Sequence, residues 1–387
     1  MPHRIRILFV IGTMSGGGAE RQIIQILRLI DRTQFQPMLY LSTRAGELLS
    51  QVPLDVPVFS FRSTSADPFW LKVARRFKLS PILRYLHLAC VLKREQIDLV
   101  YDRTFLATLD AAGATWLRPT PRISCCVVDP QPELELHSGK RRSLMWRIAR
   151  SAYRRADRVL ANSEGLRQRV IEYFQLPASR VLTRRNLIDL EELDRKASES
   201  PPDVPLNSFL IIAVGRLHPQ KGYQFLLEAM ADLVHRRNRS VHLIILGTGD
   251  SITELSRLAQ NRRIQEFVTF AGFVDNPLPW MRKARLFVLP SLYEGLPNAL
   301  LEAVACGTPV LATDCPSGPR EILDAGRLGE LVPCADSMAL ADGIQAAMDH
   351  YPEWRRRAMI AQESVRERYD ARRGIRDLEE LFRHVLR

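Results

Sequence analysis

The chain has 387 residues, 46% hydrophobic and 25% charged, an ordinary globular balance that excludes collagen, coiled coil and wholesale disorder. At ~100–200 residues per domain, two or three domains are expected, and no apolar run reaches the ~18 residues of a membrane-spanning helix. Residues 1–200 hold 32 Lys and Arg against 20 Asp and Glu, so the whole net charge of +12 lies in that half. One domain is therefore expected to face an anionic surface: nucleic acid, membrane lipid or a phosphorylated substrate.

Met1-Pro2-His3-Arg4-Ile5 leads directly into a strand-like run without a signal-peptide apolar region, and a cytoplasmic chain is expected. Short β-branched or aromatic runs predict strands over 4–10, 37–41, 56–61, 98–101, 122–128 and 158–161. Helical stretches such as 20–30 and 80–94 lie between them. This alternation implies βα units and a parallel sheet buried on both faces. Ser198-Glu199-Ser200-Pro201-Pro202-Asp203-Val204-Pro205 is polar and proline-rich, which places the interdomain linker there. Strands are then predicted over 209–214, 241–246, 268–271, 286–289, 309–312 and 330–332. Residues 374–387 read as an amphipathic helix that packs back on one domain or the other. The six cysteines (Cys90, Cys125, Cys126, Cys306, Cys315, Cys334) have no C-x-x-C spacing and read as reduced core thiols.

Four strand-end loops carry candidate chemistry. The first is Gly12-Thr13-Met14-Ser15-Gly16-Gly17-Gly18-Ala19-Glu20-Arg21, between the first strand and a helix. Its glycines permit close backbone approach, and the helix start offers unpaired N–H groups to a phosphate. It fits neither the nucleotide-triphosphatase loop nor the dinucleotide fingerprint, and a turn without ligand is the alternative. The second is Gly215-Arg216-Leu217-His218-Pro219-Gln220-Lys221-Gly222. Arg216 and Lys221 leave one strand end together and suit a pyrophosphate, unless they are merely solvated cations. The third is Glu294-Gly295-Leu296-Pro297-Asn298-Ala299-Leu300-Leu301-Glu302. It predicts a helix over 297–306 that starts beside Glu294 and ends at Gly307. The amides of Leu296, Asn298 and Ala299 suit an anion there. Glu302 lies one turn inside, within reach of a polyol; a helix-surface charge is its plain reading. The fourth, Ser317-Gly318-Pro319-Arg320-Glu321-Ile322, either closes the same site or is a simple turn and cap.

In spacing and order these four resemble the family 4 retaining glycosyltransferases over nearly the whole chain. The most specific match is Glu294…Glu302 with Gly295, Pro297 and Gly307-Thr308-Pro309. Asn162-Ser163-Glu164 and Asn186-Leu187-Ile188-Asp189 agree with it. The resemblance implies the α/β GT-B fold, two Rossmann-like βαβ domains facing across a cleft. These are a basic acceptor-side domain at 1–197, a nucleotide-sugar donor-binding domain at 206–370, and a C-terminal helix at 371–387 returning to the first. It implies that Arg216 and Lys221 hold a donor diphosphate, that Glu302 contacts the ribose, and that residues 272–274, Val274 included, border the base. Glu294 would meet the transferred sugar, with Gly295, Leu296 and Asn298 lining the donor site. Gly17 and Gly18 would approach the donor from the first domain. Where many members carry a polar cluster after the fifth strand, this chain offers Asp129 and His137 on the acceptor side. The sequence has no Asp-x-Asp motif, so neither an obligatory metal nor a cofactor is expected.

The segment 141–158 holds seven arginines and one acid, Asp157. Met145, Ile148, Ala149, Ala152 and Ala156 fall on one helical face, and Trp146 and Tyr153 add aromatics. With Lys72, Arg75, Arg76 and Lys78 beside Phe69 and Trp70, this suits an anionic bilayer, or else a solvated face of a core helix. The expectation is a peripheral enzyme on the inner face of the plasma membrane. It would move a hexose, from UDP-sugar first, to a glycan or polyprenyl-diphosphate-linked acceptor. Two other readings stay open: a GT-B sugar-nucleotide epimerase, and a non-enzymatic basic nucleic-acid-binding protein, although no nucleic acid is expected as a partner. The missing fingerprint disfavours a dehydrogenase.

Overall fold

The structure, a computed structural model, describes residues 4–62, 80–139, 142–200 and 208–387. The basic cluster expected at 72–78 lies outside them, as do Arg141 and residues 201–205. The chain divides into two compact units, Met1–Leu187 with Ala371–Arg387, and Ile188–Asp370.

In the first unit β1 (Ile5–Ile11), α1 (Gly18–Leu29), β2 (Phe35–Thr43), β3 (Val58–Arg62), α2 (Ser80–Arg94), β4 (Leu99–Arg103) and α3 (Phe105–Leu117) follow in order. Then come β5 (Arg122–Cys126), α4 (Pro130–Ser138), α5 (Arg142–Arg154), β6 (Arg158–Ala161), α6 (Glu164–Phe174) and β7 (Val181–Thr183). Among the described residues the sheet runs β3-β2-β1-β4-β5-β6-β7, every pair parallel. Parallel pairing needs crossovers on both faces, so β4 and β5 are buried throughout. The sequence did not predict β7 (Val181–Thr183), an edge strand that pairs only with β6 among the described residues.

The first sheet encloses an ionic cluster. Arg122, 1% exposed at the start of β5, donates to Asp102 on β4 (3.2 Å) and to Ser124 (2.5 Å). Its other amino group donates to the carbonyl of Ala152 in α5. Ser124 and Thr108 each donate to Asp102, at 2.7 and 2.5 Å. Burial raises the Asp102 carboxyl above its ordinary range, against the opposing pull of Arg122.

The second unit contains α7 (Leu190–Ala197), β8 (Phe209–Val214), α8 (Tyr223–Ala231), β9 (Val241–Leu246), α9 (Ile252–Asn261), β10 (Val268–Gly272) and α10 (Leu278–Lys283). It continues with β11 (Leu286–Leu289), α11 (Asn298–Ala305), β12 (Val310–Thr313), α12 (Pro319–Ile322), β13 (Glu330–Val332), α13 (Ser337–Asp349) and α14 (Tyr351–Arg368). Its parallel strands run β10-β9-β8-β11-β12-β13. The boundary at 187/188 differs from the expected 197/206. The reason is α7: Leu193 and Ala197 bury in the second unit's core, and Arg366 of α14 donates to Asp194 at 2.9 Å.

Finally α15 (Ala371–Val385) packs on the first unit. Phe382 is fully buried there, edge-on to Phe9, Phe35 and Tyr101 at 6.4, 6.1 and 5.9 Å. Glu379 accepts the Asp31 amide at 2.8 Å, which fastens the helix to the end of α1.

Candidate functional site

In the second sheet β8 lies between β9 and β11, so the winding direction reverses at its carboxyl end. In open parallel sheets ligands bind outside such a reversal. Two glycines bring the loops there into contact. Gly222, at φ +64°, precedes α8, and a Cβ on it would lie 2.1 Å from the Pro290 carbonyl oxygen after β11. Gly318, at φ +89°, precedes α12, and a Cβ on it would lie 2.4 Å from the Gly295 carbonyl oxygen. No side chain fits at either place, so the loops after β8, β11 and β12 interlock.

The charges meet on that frame. Glu294 is 6% exposed, and its Oε1 accepts from Lys221 Nζ at 2.5 Å and from Ser291 Oγ at 2.7 Å. Its main-chain carbonyl accepts from Ser317 Oγ at 2.8 Å. Gln220 clamps the same loop, donating to the Tyr293 carbonyl and accepting from the Leu292 amide, each at 2.8 Å. Thr313 Oγ1, at the end of β12, donates to the Ser291 carbonyl at 2.5 Å. Burial, with the Glu294 charge added, pushes the Tyr223 phenol well above its ordinary range, so it stays a neutral hydroxyl. Arg216, two residues beyond β8, is exposed.

The sequence candidates do not all come together. Lys221 and Glu294 are in direct contact, and Arg216, Gly295, Leu296 and Asn298 lie on their two loops. Leu296 is buried, and Asn298 opens α11, with Glu302 half-buried one turn on. Val274 follows β10, two strands away, and packs against the core. The loops after β9 and β10 are tied by the Gly247 amide donating to the Gly272 carbonyl at 2.7 Å. Gly17 and Gly18 are in the first unit, at the cap and first residue of α1. There the Glu20 carboxylate folds back, 2.5 Å from where a Gly17 Cβ would stand.

The acceptor-side pair is not brought together. Asp129 caps α4, accepting the Gln131 amide at 2.9 Å, and pairs with Arg169 at 3.0 Å. His137 stands at the other end of α4, ~12 Å away at the helical rise. It stacks on Phe105 at 5.8 Å and lies 3.4 Å from Glu133. The basic helix α5 also differs from its reading. Tyr153 is buried, and Trp146 donates to the Tyr173 carbonyl at 3.1 Å, so both aromatics face inward. Ile148 is 45% exposed, away from the buried Ala149 and Ala152.

Sequence reading missed Ser291, Thr313 and Gln220, whose residue types carry no signal alone. It also passed over Gly247-Thr248-Gly249, a Gly-x-Gly directly after a strand, which is visible in the sequence.

The family model described as Glycosyltransferase Family 4 matches residues 16–192, and that described as Glycosyl transferases group 1 matches 208–350. A Campylobacter jejuni N-acetylgalactosamine-N,N'-diacetylbacillosaminyl-diphospho-undecaprenol 4-alpha-N-acetylgalactosaminyltransferase is 32% identical over 51% of this chain and 52% of its own. The chain spans about half the length of the first curated relatives it matches. A second Campylobacter jejuni protein, a GalNAc-alpha-(1->4)-GalNAc-alpha-(1->3)-diNAcBac-PP-undecaprenol alpha-1,4-N-acetyl-D-galactosaminyltransferase, is 24% identical over 89% of both chains. Among solved structures, Anabaena HepE in complex with UDP-glucose aligns with a TM-score of 0.82 at 23% identity, covering 98% of this chain and 100% of that one. That likeness is one of fold: two α/β units of the GT-B type.

Proposed function

From the premise that the chain belongs to the family 4 glycosyltransferases, we propose that it transfers a sugar from a nucleoside-diphosphate sugar, UDP-sugar first, to a glycan or lipid-linked acceptor, with retention. The observation that carries this is the Lys221–Glu294–Ser291 cluster at the winding reversal of the second sheet. Its loops offer cations for a diphosphate and a fixed carboxylate for a polyol.

In this reading the forked Arg216 and the ammonium of Lys221 hold the diphosphate with the first amides of α11. Glu302 takes the ribose and Val274 borders the base. Glu294 accepts from hydroxyls of the transferred sugar. Ser291 and Lys221 hold its carboxylate in one orientation, so little reorganisation is needed at reaction. The bond from the anomeric carbon to the diphosphate oxygen breaks, and its electron pair leaves with the phosphate. Arg216, Lys221 and the helix start stabilise that growing charge, with no resident metal assigned. The acceptor hydroxyl adds to the same face of an oxocarbenium-like centre and gives its proton to the departing diphosphate oxygen on that face. No acceptor-side role is assigned to Asp129 or His137 in this reading.

The acceptor reading draws on the relatives named for undecaprenol-linked substrates. It also draws on the first unit's surface, where α3, α4 and α5 adjoin. Trp116, Leu106, Leu136, Leu144 and Ile148 are exposed on these helices, as are Arg147, Arg154 and Arg155. Helices that expose both apolar side chains and arginines suit an anionic bilayer. Among the described residues no helix is long and apolar enough to cross a membrane, and peripheral attachment at the cytoplasmic face is the proposal.

Calorimetric titration with UDP, GDP and ADP, without added metal, tests the donor site. Saturable binding of one nucleotide, weakened in Arg216→Ala, supports it; heat from none of the three removes it. A new sugar nucleotide formed without acceptor would instead identify an epimerase.

A further inference from the structure

Two thiols of the second unit have no part in this function. Cys315 lies two residues beyond β12 and Cys334 two beyond β13. The strands pair in register through Thr313 and Val332, and the Asp314 amide donates to the Val332 carbonyl at 2.8 Å. The pairing runs one bond past the strand ends before the Cys315 amide turns back to the Thr313 carbonyl at 2.9 Å, and it leaves Cys315 and Cys334 close enough to share a side-chain hydrogen bond. Neighbouring strands lie ~4.8 Å apart, inside the ~4.4–6.8 Å between Cα atoms that a disulfide tolerates. Both sulfurs also converge on one atom: they lie 3.1 and 3.6 Å from the Ser291 carbonyl oxygen.

We propose that Cys315 and Cys334 form an oxidation site, a dithiol that closes to a disulfide and thereby alters the loop carrying Glu294. The functional half of this rests on the donor-site reading above. Cys334 is half-exposed and Cys315 buried, so Cys334 meets an oxidant first. Its hydrogen bond with Cys315 lowers the Cys334 thiol to about 7, while that bond and burial raise Cys315. With a low-molecular-weight disulfide as oxidant, the Cys334 thiolate attacks one sulfur and expels the other as a thiolate. Cys315 then gives its proton to solvent and attacks Cys334 Sγ, expelling the second thiolate. The two protein thiols lose two electrons and two protons, and the oxidant leaves as two thiols.

The consequence passes through Ser291. Its carbonyl loses the thiol contact of Cys315 and keeps Thr313, while its own hydroxyl holds Glu294. Closure also draws Cys315 toward Cys334, and Ser317, two residues on, holds the Glu294 carbonyl.

The test exposes the full reduced chain to excess glutathione disulfide, quenches with N-ethylmaleimide and maps peptides by mass spectrometry. The expected product joins Cys315 to Cys334. Cys315→Ser should carry one stable glutathione on Cys334, and Cys334→Ser none at either position. Two free thiols, or a lasting glutathione adduct on Cys334 of the unsubstituted chain, overturn the site. UDP affinity should fall about tenfold on oxidation, recover with dithiothreitol, and be insensitive to redox state in Cys334→Ser. A cross-link with unchanged affinity overturns the coupling. If neither form binds UDP, the donor reading fails by itself. Amide exchange over residues 291–294 then decides the coupling: faster exchange on oxidation upholds it, and equal rates overturn it.

Discussion

The Asp102–Arg122 cluster of the first unit and the Glu294–Lys221 cluster of the second have nearly the same parts. Each joins an acid, a cation and hydroxyl side chains across neighbouring parallel strands. Their placement differs. Asp102 and Ser124 face each other inside the ladder, and the ion-paired side chains of Asp102 and Arg122 are 0% and 2% exposed. Glu294 lies five residues beyond β11 and Lys221 seven beyond β8, where the side chains are 7% and 16% exposed. Inside the ladder the polar groups consume one another and tie β4, β5 and α5 together. Beyond the strand ends the same chemistry stays partly exposed, as the proposed donor site requires. Position along the strand, more than residue type, separates a structural staple from a proposed binding site.

The sharpest test of this contrast is Glu294→Gln. It should lower kcat/KM by about 10²–10⁴ with little change in melting temperature; a large stability loss with normal turnover would make the second cluster another staple. Arg122→Met should do the opposite. It leaves Asp102 buried without its cation and should cost about 3–5 kcal/mol in denaturant unfolding, much of it recovered in Asp102→Leu/Arg122→Met. Without Arg122 the already raised Asp102 carboxyl rises further. The folded variant then binds its proton more tightly than the unfolded chain does. Its deficit should be full above the folded pKa and shrink as pH falls through that value toward the unfolded ~3.9. A pH-independent deficit would refute the buried charge.

Smaller effects refine the picture. Reversing Arg147, Arg154 and Arg155 to Glu should weaken sedimentation with anionic liposomes by about 1 kcal/mol per residue; unchanged sedimentation would return α5 to a solvated face. Arg216→Lys keeps the charge but loses the fork, and should weaken UDP binding about tenfold. Asp129→Ala should cost only about 1 kcal/mol of stability, the loss of a helix cap. A collapse of activity without that loss would restore Asp129 to the acceptor side.

The sheets were legible because buried parallel strands read as short apolar runs: Leu286-Phe287-Val288-Leu289 is β11, buried throughout. The unit boundary was not. Leu193 and Ala197 announce an apolar helix face without saying which core receives it. Arg122 opens a strand like any solvent-facing residue, and only the fold reveals that it is sealed in. Asp129 followed by Pro130 is a cap readable in the sequence, and its side chain accepts the Gln131 amide as a cap does. In the second site, charged and glycine-marked positions stood out, whereas Ser291 and Thr313 act through main-chain and hydroxyl geometry that the pattern does not encode.

The return of α15 also fixes an order of events during synthesis. Residues 371–387 leave the ribosome after the entire second unit, yet Phe382 belongs to the first unit's core. The second unit is continuous and has all its residues before the first is complete. The first therefore waits on the ribosome with the apolar patch around Phe9, Phe35 and Tyr101 uncovered, and a nascent chain stalled before residue 371 would be a client for chaperones at that patch.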